Sequence, residues 1–249
     1  MTNKSILNIA HRGASARYPE NTMAAFKGAV EMGADMIEFD VRLSADGIPV
    51  IFHNARLDSP INASGLIADS TLTELKKLDA GSWFHPDFIS EQIPTLEETL
   101  AWASGTIRLN IELKTDSVDN GKQLAESCLS LVKKYRMSEH VLFSSFDLNM
   151  LEYIKEIEPG ASIAILFTPN RFKSRKASEL GQNLAPDAFH CTFRQLTAKR
   201  FANLSERQIP VTVYTVNSKK RMNKLIAKEV NGIITDRPNV LRDLLNNSK

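Results

Sequence analysis

Eight short apolar runs, each followed by a stretch with helical periodicity, constrain this 249-residue chain more than any other feature. They carry HRG, IEFD, IELK, FSSF, AILF, AFHC, VYTV and IITD, in that order. Strict alternation of strand and helix demands a parallel sheet, because parallel neighbours need a crossover and the helix supplies it. Eight such units in about 250 residues have the size of a (β/α)₈ barrel. A doubly wound open sheet is the rival architecture. It carries a glycine-rich phosphate loop after its first strand, and HRGASARYPENT lacks that spacing. The expected fold is therefore α/β: a (β/α)₈ TIM barrel over residues 1–249, one domain, with a small cap inserted after the strand-2 hairpin.

Local signals place the helices. Asn21 is a suitable N-cap for TMAAFKGAVEM, which Gly33 closes. Thr71…Glu74 and Thr95…Glu98 are capping boxes, each opening a helix. Further helices are predicted at 121–135, 147–157, 171–182, 196–206, 218–228 and 238–246. Between the hairpin and IPTLEE runs an irregular stretch, about 54–94, rich in Ser, Asp, Gly and Pro. A connection of that length inside a compact domain is usually a lid or binding loop.

The stretch Met36–His53, MIEFDVRLSADGIPVIFH, concentrates the chemistry. Side chains alternate along a strand, so Glu38 and Asp40 share one face while Ile37, Phe39 and Val41 share the other. Asp46-Gly47 signals a hairpin. If those two residues are the whole turn, Ala45 faces Ile48 and His53 comes opposite Asp40. A hairpin with one wet face would also alternate in this way, so the rest of the chain has to decide. In RLNIELK, Asn110, Glu112 and Lys114 fall on one face. His11 and Arg12 end the first strand.

Barrel interiors are apolar, so inward-facing charge at strand ends is expensive unless it works. Three carboxylates, Glu38, Asp40 and Glu112, form an all-oxygen set suited to Mg²⁺, Ca²⁺ or Mn²⁺. Arg12 and Lys114 suit a phosphate, and His11 and His53 supply an acid–base pair. Together they point to metal-assisted cleavage of a phosphoryl ester. Tyr214, at the mouth of the seventh strand, is a candidate to flank substrate, with simple packing as the plainer alternative. Ser144, Ser145 and Phe146 are candidate pocket residues. His85, His140 and His190 read as structural or surface positions, and Lys173, Arg175 and Lys176 as a solvated basic cluster.

Composition removes other classes. With 31 basic against 29 acidic side chains the balance does not suggest a nucleic-acid or anionic-membrane partner. The start, MTNKSILNIA, lacks the apolar run of a signal peptide, and two cysteines make no disulfide framework. The expectation is a soluble cytoplasmic protein acting on a small molecule, with no stable membrane association.

HRG…PENT, IEFDV, the SADG hairpin ending in FH, GLI…STLTELKKLDAGSW, IPTLEE, NIELK, FSSF, VYTVN and ITDRP resemble the glycerophosphodiester phosphodiesterase family, most of all its short cytoplasmic bacterial members. The resemblance covers nearly the whole chain. It implies a (β/α)₈ barrel with a small inserted cap and hydrolysis of glycerophosphodiesters to glycerol 3-phosphate and an alcohol. It also implies metal ligands at Glu38, Asp40 and Glu112, catalytic histidines at His11 and His53, and substrate contacts from Arg12 and Lys114. Two departures stand out. The family usually has Asp after its second histidine, where this chain has Asn54. Its usual Arg-Thr-Thr a few residues later reads Ser59-Pro60-Ile61. Two other readings share the fold: a phospholipase D-like or lyase activity, and a non-catalytic binding barrel that would have shed these site residues.

Overall fold

The alternation of strand and helix is realised as a closed ring of strands in the computed structural model, which describes residues 6–247 except 62, 116, 117 and 169–183. Its strands are β1 (Leu7–His11), β2 (Met36–Leu43), β3 (Pro49–Ile51), β4 (Arg108–Leu113), β5 (Val141–Ser145), β6 (Ser162–Leu166), β7 (Ala188–Thr192), β8 (Val211–Tyr214) and β9 (Gly232–Thr235). β1 pairs in parallel with both β2 and β9, which closes the ring; β3 is an antiparallel addition to β2. The helices are α1 (Met23–Glu31), α2 (Leu72–Leu75), α3 (Leu96–Ala103), α4 (Val118–Lys134), α5 (Leu148–Ile157), α6 (Ala198–Glu206), α7 (Lys219–Ile226) and α8 (Pro238–Asn246). The helix expected at 171–182 and the basic cluster Lys173, Arg175 and Lys176 lie outside the described residues.

Side chains facing the inside of such a barrel stack in layers drawn from alternate strands. The registers place Ile9, Asn110, Ala164 and Thr212 in one layer and Glu38, Ser144, His190 and Ile234 in the next. His11, Glu112, Leu166 and Tyr214 follow at the carboxyl mouth. The main apolar core lies outside the ring, where Phe26, Phe39, Phe143 and Phe189 are buried between strands and helices.

Two local expectations are corrected. The α1 cap is Thr22, whose side chain accepts from the Ala25 N–H, not Asn21. Asn21 takes φ 58° and turns its amide inward. The hairpin is also shifted by one residue: Val41 pairs with Ile51, so Phe52 and not His53 comes opposite Asp40, and the Phe52 N–H donates to the Asp40 carbonyl (3.0 Å). The turn has three residues, Ala45, Asp46 and Gly47, with Gly47 left-handed at φ 76°. Ser44 explains the choice: its hydroxyl donates to Asp46 Oδ1 (2.6 Å) and accepts from the Ile48 N–H (3.0 Å).

Beyond β3 the chain builds a small second core from Val50, Phe52, Leu57, Ile61, Ile67, Leu75, Ala80 and Ile93. Besides the expected capping-box helix α2, the segment makes two short 3₁₀ turns, Ile67–Asp69 and Pro86–Phe88. It packs back onto the loop after β1, where the Phe88 and Tyr18 rings meet edge to face at 5.7 Å. Among the described residues no helix is long and apolar enough to cross a membrane.

Candidate active site

β1 ends at His11 and the chain turns at once, with Arg12 (φ 53°) and Gly13 (φ 82°) in the left-handed region. Gly13 cannot be replaced without a shift, because a Cβ there would lie 2.6 Å from the Ala25 carbonyl carbon. For Arg12 the conformation costs about 1–2 kcal/mol, and local bonds offset it. Its N–H donates to Glu38 Oε2 (3.2 Å) and its carbonyl accepts from the Asn21 N–H (3.0 Å). The guanidinium reaches Glu20 (2.8 Å) and Asp40 (3.3 Å). The strained turn thus aims a cation at the carboxylates.

Register brings those carboxylates together. His11 stands beside Glu38 across β1–β2, and Asp40 beside Glu112 across β2–β4. One oxygen from each of Glu38, Asp40 and Glu112 falls within 4.8 Å of the others, and all three residues are buried. Lys114 Nζ bridges Glu112 (2.6 Å) and Asp40 (3.1 Å), while the Asn21 amide donates to Asp40 Oδ2 (3.0 Å). Burial alone would raise the Asp40 pKa, but Lys114 and then Arg12 outweigh it and hold the carboxyl well below the usual range. Glu38 goes the other way: burial first and the Asp40 charge second push it up to about 8. Glu112 is raised for the same two reasons. Two cations do not satisfy three buried carboxylates.

Both histidines have their Nδ1 engaged. His11 Nδ1 meets Asp236 Oδ1 at 2.6 Å, and Asp236 is itself held by the Asn217 amide and by its own N–H on Asn217 Oδ1 (2.9 Å). His11 Nε2 looks toward the Thr215 hydroxyl, 3.5 Å away. Burial lowers the His11 pKa, but the Asp236 hydrogen bond and the Glu38 charge more than compensate, so it is raised. His53 Nδ1 is paired with Asn54 Oδ1 (2.7 Å), which leaves its Nε2 free of that bond. Burial dominates there and the His53 pKa is lowered, with Asp40 opposing. His53 directly follows the last hairpin bond, from the Phe52 N–H to the Asp40 carbonyl, and the Arg42 Nε holds the His53 carbonyl (3.0 Å).

Asn54 thus orients His53 without supplying charge, and it also ties the loop down by donating to the Ser59 carbonyl (2.7 Å). Asn54→Asp is expected to stabilise the imidazolium and raise the His53 pKa by about one unit. The limb of the pH–rate profile governed by His53 should therefore move alkaline, whichever limb that is. A profile unchanged on both limbs would show that His53 does not titrate in the reaction.

A cavity of about 200 Å³ opens among these groups. His11, Arg12, Glu38, His53, Glu112, Lys114 and Tyr214 line it, so seven of the eight expected site residues border one volume; Asp40 lies behind its ion pairs. The Tyr214 hydroxyl donates to the Phe167 carbonyl (3.3 Å), and its ring meets Phe146 edge to face. Ser144 and Phe146 line the cavity, whereas Ser145 faces away, donating to the Leu113 carbonyl (3.0 Å). His85 and His140 are exposed, and His190 is buried within the barrel and does not line the cavity. Asn217 and Asp236 are not among the expected site residues, and Asn21 is expected only as a helix cap. For Asp236 a signal existed: it directly follows the last strand, at the same mouth as His11.

A parallel barrel whose carboxyl mouth brings two imidazoles, two carboxylates and two cations to one cavity, with Asp40 behind them, carries the arrangement of an enzyme site. The chain belongs to the glycerophosphoryl diester phosphodiesterase family, whose sequence model matches residues 11–240. It is similar to the Bacillus subtilis protein YhdW, with 38% identity over 234 residues, covering 94% of this chain and 95% of that protein. A Caldanaerobacter subterraneus protein named glycerophosphodiester phosphodiesterase is 35% identical over 240 residues, 96% of this chain and 97% of its own. The structure of an Oleispira antarctica phosphodiesterase in complex with its product sn-glycerol-3-phosphate superimposes with a TM-score of 0.87 at 30% identity, covering 96% of each chain.

Proposed function

We propose that this chain hydrolyses glycerophosphodiesters to glycerol 3-phosphate and an alcohol. The observation that carries the reading is one cavity lined by two imidazoles, each with Nδ1 engaged and Nε2 left for chemistry, together with Arg12 and Lys114. Arg12 and Lys114 bind the phosphate, His11 and His53 exchange protons with the attacking and leaving oxygens, and Tyr214 forms a wall.

The buried carboxylates fit a hard divalent cation, Mg²⁺, Ca²⁺ or Mn²⁺, held by Glu38, Asp40 and Glu112. When bound, such an ion polarises the phosphoryl oxygen and stabilises charge developing there. Charge supports the fit. Three carboxylates share Lys114 and an Arg12 that also pairs with Glu20, so negative charge is left in excess and a dication would offset it.

The nucleophile is the substrate's own glycerol 2-hydroxyl. An imidazole takes its proton, the oxygen attacks phosphorus and the alcohol leaves with a proton from the other imidazole; water then opens the cyclic phosphate. An oriented intramolecular hydroxyl reaches an effective molarity of roughly 10⁵ M or more. Neither cysteine lines the cavity, and the Ser144 hydroxyl has no hydrogen-bonded base among the described residues. The segment at about 54–94 is a cap over the mouth and contacts the leaving alcohol, so its departures at Asn54 and Ser59-Pro60-Ile61 bear on alcohol preference.

The test is a panel of glycerophosphodiesters with different alcohols, incubated with purified protein and assayed for glycerol 3-phosphate. Release from at least one member is expected. No release from any, in folded and metal-supplemented protein, would refute the reading.

A further inference from the structure

Charge is balanced over the whole chain but not around the mouth of the barrel. The chain just past β7, β8 and β9 carries the exposed cations Arg194, Lys199, Lys219, Lys220, Arg221 and Arg237, and none is ion-paired among the described residues. Over 193–200, 215–221 and 236–237 the one acid is Asp236, which His11 and Asn217 already engage. The amino end of a helix carries partial positive charge, so acids suit its first turn and bases weaken it. Yet Lys199 and Arg200 stand in the first turn of α6, and Lys219, Lys220 and Arg221 in that of α7, with no acid in either. A face that served only to meet water would gain from the opposite placement. The cations also border the site. Lys219 lies two residues past Asn217 and Arg237 directly follows Asp236, the pair that anchors His11. Arg221 stacks over the Phe193 ring (5.3 Å) and so ties the β8 loop to the β7 loop beside Arg194. β2 and β7 are opposite in the ring, and segment 54–94, which follows the β2 hairpin, has six acids against three bases. The mouth is thus polarised, negative on the β2 side and positive on the side of β7 to β9.

We propose that this basic rim binds a negative charge on the leaving alcohol, so that the preferred substrate is a glycerophosphodiester whose alcohol itself bears a phosphate. The inference rests on the glycerophosphodiester reading above. Arg12 and Lys114 take the scissile phosphate inside the cavity, so a diester of a neutral alcohol leaves the rim without a partner. A second phosphate, carried outward on the alcohol, is repelled by the β2 side and drawn to the β7–β9 side. There guanidinium and ammonium groups offer its oxygens charge-assisted hydrogen bonds. An alcohol with a positive charge meets the reverse field.

The experiment compares two glycerophosphodiesters that differ only in the leaving alcohol: propane-1,3-diol, and the same diol with a phosphate on its far hydroxyl. With divalent cation in excess and at low salt, wild-type kcat/KM is expected to be about tenfold or more higher for the phosphorylated diester, through KM. The advantage should shrink at about 0.5 M NaCl, where exposed charges are screened. Lys219→Glu with Lys220→Glu puts acids where the helix favours them, so the fold should hold. This variant should cost the phosphorylated diester about tenfold more than the neutral one. Lys224→Glu with Lys228→Glu makes the same change of net charge toward the other end of α7 and should leave the ratio between the two substrates as in wild type. Equal wild-type kcat/KM on both diesters overturns the proposal, and so does an equal effect of the two variants on the ratio, which marks net charge alone. A rim variant that loses binding to phosphatidylglycerol vesicles while keeping the substrate ratio overturns it too, since the face would then dock on a bilayer. If wild type turns over neither diester, the reading of the site itself falls; turnover of both without preference leaves that reading standing and removes only this inference.

Discussion

Chelation of divalent cations is expected to abolish turnover, and Mg²⁺, Mn²⁺ or Ca²⁺ to restore it. Glu38, Asp40 and Glu112 are buried with ligand oxygens within 4.8 Å of one another, and Lys114 and Arg12 together neutralise only two of the three. In metal-free protein Glu38 is pushed from 4.5 to about 8 by burial and by Asp40. Between those pH values the folded chain keeps a proton that the unfolded chain has released, so this group destabilises the fold increasingly as pH rises. Glu38→Gln should therefore weaken cation binding in calorimetry and stabilise the metal-free protein relative to wild type, by a margin that grows from about pH 4.5 to about pH 8. Full activity in a preparation verified to contain no metal would refute the assignment.

His11→Ala and His53→Ala are each expected to lower kcat at least about 10²-fold, with KM little changed. The paired substrate experiment replaces the glycerol 2-hydroxyl by hydrogen. Loss of that oxygen removes the proposed nucleophile, so the analogue should bind and not turn over. Hydrolysis at the parent rate would mean that water attacks directly and the hydroxyl is a spectator. The two histidines are not equivalent: His11 is anchored by a carboxylate, Asp236, and His53 by a neutral amide, Asn54. The variant profiles should therefore differ in pH dependence as well as in depth.

The ring of strands was legible because short apolar runs alternate with helical stretches, several of which open on a cap; Thr71 and Thr95 cap as their capping boxes predict. The carboxylates were legible because period 2 is rigid, and Glu38, Asp40, Glu112 and Lys114 needed only the knowledge that strand ends meet. The hairpin register was not, since Asp46-Gly47 fits a two-residue turn and a three-residue turn equally well, and Ser44 decides through two hydrogen bonds of its own side chain. Asn21 was read as a cap because Asn caps helices well; only its left-handed backbone and its bond to Asp40 reveal the other use. Asp236 is far from His11 in sequence, and no periodicity carries information across the ring.

That distance has a consequence. The His11–Asp236 contact spans 225 residues and lies where the first strand meets the last. A ribosome synthesises the imidazole long before its anchoring carboxylate, 225 residues later. On the proposed mechanism His11 therefore comes into alignment only after β9 has docked, and a nascent barrel one strand short is expected to be catalytically silent. The same seam couples wear to output, because detachment of β9 and α8 would unseat the imidazole while most of the scaffold still stands.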